Sequence, residues 1–129
     1  MSKSDSIFSN TLPSLPIQVL IRNYLDKKDI TREKFVILTG QSKHVYDRIS
    51  ANKFYYIERY RLLCICIGLN LSLQETSEWM RVAGYIFSED YPCYKYEYQI
   101  IHQFKSSRFN ASEAIYQILL LYGKIKDIE

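Results

Sequence analysis

Ser42, Lys43, His44, Asp47 and Arg48 crowd into the short stretch SKHVYDRIS, residues 42–50. Between them Val45, Tyr46 and Ile49 recur at +1 and +4 spacing, which is the spacing of one buried helical side. On a helix, the hydroxyl, ammonium, imidazole, carboxylate and guanidinium groups therefore gather on the opposite, solvent-facing side. Their chemistry is recognition by charge and hydrogen bonding. Lysine and arginine donate to phosphate oxygens and to the acceptor edge of guanine, and the shorter side chains reach other groove atoms.

A second helix must brace such a surface, and the residues just before it supply one. Thr31 is placed to cap a helix, because its hydroxyl accepts from an otherwise unpaired N–H. Phe35, Val36 and Leu38 lay apolar groups along about two turns. Gly40 then offers positive φ at lowest steric cost and ends the helix, and Ser42 caps the next one. Gln41, in the turn, needs a partner or water, since a buried unpaired amide is costly. Thr31 to Ser50 thus reads as two short helices joined by a tight turn, the helix-turn-helix arrangement.

From about Ile17 to Tyr85, a little over half the chain, the sequence resembles the phage-repressor-like, or XRE-type, helix-turn-helix family. The matching pieces are TREKFVILTGQSKHVYDRIS for the two central helices, RYRLLCICIGLNLS for the fourth and SLQETSEWMRVAGY for the fifth. The sequence departs from the family where Val36 replaces a small alanine, Gln41 an aliphatic residue, and Tyr46 an isoleucine or valine. The resemblance implies double-stranded DNA as partner, held by a homodimer that spans two half-sites. It groups Arg32, Gln41, Ser42, Lys43, His44, Asp47, Arg48 and Lys53 as DNA-binding residues. Arg32 and Lys53 are expected on phosphates, and Ser42, Lys43, His44 and Arg48 on base edges. Asp47 suits only a cytosine amino group and otherwise repels phosphate, so it is expected to pair with Lys43 one turn earlier.

Charge supports that placement. The whole chain carries a formal net charge of only +3. From Arg22 to Arg61, however, ten basic residues stand against five acidic ones, while Leu62 to Glu129 holds six basic and eight acidic. The positive excess coincides with the two central helices, as a phosphate-facing surface requires.

Composition sets the wider limits. At 129 residues, 47% hydrophobic and 24% charged, the chain has the size and make-up of one globular domain. It contains no apolar run near the roughly 20 residues of a membrane helix, and MSKSDSIFSN lacks a secretion signal's apolar core. A cytoplasmic protein is expected. Cys64 and Cys66 sit about 200° apart around a helix, which suits buried, inert thiols better than a shared metal. With no glycine-rich phosphate loop, no HExxH and no matched cysteine–histidine pair, neither an enzyme nor a cofactor or metal is expected.

Taken in order, residues 1–13 are expected to form a flexible polar arm. A helix opens at Ser14 and Pro16 and carries the stripe Ile17, Leu20, Ile21, Tyr24 and Leu25 to about Asp26. After Ser50 a loop, Ala51 to Phe54, leads to a fourth helix with Ile57, Tyr60, Cys64 and Ile67 inward. Ser72 and Glu75 form a capping box for a fifth, which buries Leu73, Thr76, Trp79, Met80 and Ala83 and stops at Gly84. A sixth is expected from Cys93 to Ser106, and a seventh after the capping box Asn110–Glu113, ending at Gly123. The fold expected is all-α: a five-helix, lambda-repressor-like helix-turn-helix domain (14–87) with a two-helix C-terminal extension (88–129). The last helix is apolar over more than one stripe, so it should pack on helices one and five and also meet a second copy. Two functions follow. One is a sequence-specific DNA-binding regulator. The other is a protein-interaction module, antitoxin-like or accessory to phage defence, that keeps the helices without specific DNA contact.

Overall fold

The computed structural model describes residues 13–125, so the expected N-terminal arm lies outside the described residues but for Pro13. Within them the chain is all-helical: α1 (Pro16–Lys27), α2 (Arg32–Thr39), α3 (Lys43–Ser50), α4 (Arg59–Gly68), α5 (Leu73–Val82), α6 (Lys95–Lys105) and α7 (Ala111–Leu121). A 3₁₀ turn, Pro92–Tyr94, precedes α6, where the sequence suggests α-helix from Cys93. Proline at the start of that turn lacks an N–H to give, and the chain tightens before the α-helix begins.

Local chemistry accounts for the helix ends. Thr31, Ser42, Ser72 and Asn110 cap α2, α3, α5 and α7, each side chain accepting from the N–H three residues on. Glu75 and Glu113 close full capping boxes. At the other ends, Asp29, Gly40, Asn70, Gly84, Ser107 and Gly123 all take positive φ, and the chain folds back onto orphan carbonyls. Leu71 N, for example, donates to Cys66 O at 3.1 Å and Tyr85 N to Met80 O at 2.8 Å. α3 alone leaves in extended backbone, at Ala51.

α4 is the axis of the molecule. The sequence marks one inward stripe on it, but Leu62 to Gly68 are all buried, because α2, α5 and α7 each pack against it. Ile57, expected on this helix, precedes it in extended chain. Its carbonyl accepts from the Tyr85 hydroxyl at 2.8 Å, which fixes the segment outside the helix. Cys64 and Cys66 are buried here. Burial pushes the Cys64 thiol up to about 12 and the Cys66 thiol higher still, so both stay neutral and unreactive at ordinary pH.

α2 crosses α4 at Gly68. A Cβ there would lie 2.4 Å from the Leu38 carbonyl oxygen and 2.6 Å from the Thr39 Cα, both of them backbone. Gly68→Ala is therefore expected to force α2 off α4 and to cost about 1–3 kcal/mol, the usual scale of overpacking. Equilibrium urea unfolding reads this loss. A variant as stable as the wild type would show that the crossing has slack.

The C-terminal pair packs elsewhere than expected. α7 lies on α4 and α6, and α6 reaches back to α5; helices one and five are not the platform. Ala114, Ile115 and Ile118 are buried, filling a surface that α4 leaves open because it is apolar on all sides. The second stripe is uncovered, with Tyr116, Leu120 and Leu121 at 45%, 52% and 44% exposure. A buried ion pair ties the extension down: Arg59 of α4 meets Glu97 of α6 through two bonds of 2.7 Å, and the Tyr122 hydroxyl donates to the same carboxylate.

Candidate nucleic-acid interface

α3 divides as its sequence does. Val45 and Ile49 are buried, Tyr46 is half-buried, and Ser42, Lys43, His44, Asp47 and Arg48 are all exposed. Phe35, fully buried, meets Tyr46 edge-to-face with ring centroids 5.5 Å apart. The larger aromatic at position 46 thus packs between α2 and α3. Among the described residues, Lys43, His44, Arg48 and Lys53 enter no ion pair.

Two of the grouped residues behave differently. Gln41 is only 5% exposed, and its Oε1 accepts from Arg61 Nη1 at 2.7 Å. That bond ties the turn to α4 and satisfies a buried amide, so Gln41 is a turn residue and does not belong to the polar face. Asp47 does not pair with Lys43. It takes a two-pronged bond from Arg32, with Nε and Nη2 at 2.9 and 2.8 Å, because the guanidinium fork matches a carboxylate as an ammonium does not. These bonds raise the Arg32 pKa further. The pair cancels the one acidic group on the face. It leaves Arg32 three of its five N–H donors, outside those two bonds.

The end of α3 is held by residues that periodicity does not single out. Gln18 of α1 is fully buried. Its Nε2 donates to Arg48 O and Lys53 O at 3.3 and 3.0 Å. Its Oε1 accepts from Leu15 N and Tyr55 N, both at 2.9 Å. Arg22 Nη1 donates to Ile49 O at 2.9 Å and to Ala51 O at 3.2 Å. A helix that lacks a left-handed cap is thus capped from outside by two side chains of α1. A glutamine on an otherwise apolar stripe is the only signal of this in the sequence.

Beyond α3 the chain bends through Ala51, Asn52 and Lys53 and continues without regular structure through Phe54 and Tyr55. The Arg48 guanidinium lies over the Tyr55 ring at 5.7 Å. Arg48, Ala51, Lys53, Phe54 and Tyr55 line a concavity of about 370 Å³.

No group of three or more His, Cys, Asp or Glu able to hold a metal occurs among the described residues, and no helix there is long and apolar enough to cross a membrane. Compared with known proteins, the chain matches no family model, no curated protein and no solved structure.

Proposed function

We propose that residues 32–50 are a helix-turn-helix of the lambda-repressor-like kind, and that the protein is a sequence-specific DNA-binding regulator with α3 in the major groove. The observation that carries this is the exposed face of α3. Lys43, His44 and Arg48 lie open and unpaired on a helix whose other side is anchored, and the Arg32–Asp47 bond removes the only opposing charge. Ser42, Lys43, His44 and Arg48 are assigned to base edges, and Lys53 and the remaining Arg32 donors to phosphates. The uncovered stripe Tyr116, Leu120 and Leu121 supports a homodimer through α7, which would present two α3 helices to successive half-sites about 34 Å apart.

The test starts by selecting a binding sequence from a random duplex pool with the full chain. Arg48→Ala is expected to weaken binding to the selected duplex by about 1–3 kcal/mol, and affinity should fall steeply with salt as condensed counterions are released. Unchanged affinity in a gel-shift titration removes Arg48 from the interface. The same apolar stripe on α7 favours the second reading, a protein-interaction module. A failure to select any duplex, or a binding constant indifferent to salt, would decide for that reading.

A further inference from the structure

The segment leaving α3 carries a feature that major-groove reading does not use. Phe54 is 46% exposed, yet the backbone on either side of it is fixed, since Lys53 O and Tyr55 N both bond to the buried Gln18 amide. Tyr56, at 58% exposure, is steadied by the Tyr85 hydroxyl at 2.9 Å. An apolar ring set in water on an anchored backbone is a surface for something flat. The concavity beside it adds the charge that something must carry: Arg48 and Lys53 share its lining with Phe54 and Tyr55, and no acidic residue does.

A planar aromatic ligand bearing a negative charge answers both features. We propose that this concavity binds one unpaired nucleotide of a nucleic-acid strand, its base stacked on Phe54 and its phosphate between Arg48 and Lys53. Stacking is tolerant of sequence, because every base has a π-face. The pocket is therefore not a second reader of sequence. It is a station for an unpaired base beside the face presented by α3. Because it draws on Arg48 and Lys53, which the proposed duplex contacts also use, a strand in the pocket and a duplex on α3 occupy the protein in turn.

The test compares two fluorescein-labelled single strands at low salt: an oligothymidylate of about a dozen nucleotides and an abasic strand with the same number of phosphates. Anisotropy titration of the full chain is expected to show the abasic strand binding roughly 5- to 150-fold more weakly, the range that one stacked base supplies. Phe54→Ala should lose that preference and Phe54→Tyr should keep it, while Phe54→Leu, apolar but not flat, should not. An unchanged far-UV circular dichroism spectrum certifies each variant as folded. Equal affinity for the two strands, or a preference that survives Phe54→Ala or Phe54→Leu, overturns the proposal. A wild-type chain that binds the selected duplex yet ignores the bases of the single strand overturns this inference alone. One that prefers the oligothymidylate but selects no duplex supports the pocket and overturns the regulator.

Discussion

Glu97→Ala is expected to lower the stability of the chain by about 3–5 kcal/mol, the cost of leaving the other half of a buried ion pair without its partner. The Glu97 side chain is 1% exposed and that of Arg59 13%. Arg59 spends Nε and Nη2 on the carboxylate, Nη2 also meets the Ile86 carbonyl, and its guanidinium lies 3.8 Å from the Tyr94 ring centroid. With the carboxylate gone, water has little room to replace it, and the Tyr122 hydroxyl loses its acceptor as well. Against a total of roughly 5–15 kcal/mol for an ordinary domain, the loss is large, and urea unfolding at equilibrium measures it. Hydrogen exchange should then show α6 opening first, because this cluster is its tie to α4, whereas α7 also rests on α4 through Ala114, Ile115 and Ile118. A double variant, Arg59→Met with Glu97→Leu, separates charge from shape. Removing both partners is often neutral, so the double variant should recover most of the loss. A single variant within about 1 kcal/mol of the wild type would mean that the pair contributes nothing to holding the extension.

That pair also marks where the sequence stops being legible. What was readable was local. The capping boxes Ser72–Glu75 and Asn110–Glu113, the caps Thr31 and Ser42, and the positive-φ glycines 40, 84 and 123 all act within a few residues. The division of α3 into a buried and an exposed side is likewise a matter of period, and it predicted which of its side chains face solvent. What was not readable depends on elements far apart in the chain. Arg59 and Glu97 are 38 residues apart, and each alone looks like a surface charge. Arg32 and Asp47, 15 apart, displaced an expected partner one helical turn away. The sequence points α7 at α1 and α5 and the structure sets it on α4 and α6, because periodicity says only that a face is buried, not against what. α4 shows the same limit from the other side, since a helix surrounded on every side has no stripe to read. The polar face of α3 is therefore legible as a surface, while its support is not.

Gln18→Ala tests that support, and on the proposed reading it should weaken duplex binding more than its distance from α3's exposed face suggests. The variant leaves the N–H groups of Leu15 and Tyr55 without their acceptor, and the carbonyls of Arg48 and Lys53 without their donor. At about 1–3 kcal/mol for each buried group that stays unsatisfied, and with solvent reaching some of them, a loss of about 2–5 kcal/mol in stability is expected. The functional consequence is separate. α3 is the one helix that does not end in a left-handed residue, so its last carbonyls depend on Gln18 and Arg22. Without the glutamine, its last turn should fray and the Lys53–Tyr55 segment should come loose. Binding to the selected duplex should then weaken even at temperatures where the variant is fully folded, because a frayed end must be reordered on every encounter. Gln18→Glu discriminates further: it keeps the acceptor for Leu15 and Tyr55 but turns the amide donor into a carboxylate facing two carbonyls. That variant should keep part of the stability and still bind poorly. Circular dichroism melting and anisotropy titration, run side by side, read the two effects. A Gln18→Ala chain that melts early yet, when folded, binds the duplex as tightly as the wild type would show that α3 keeps its shape without help from α1.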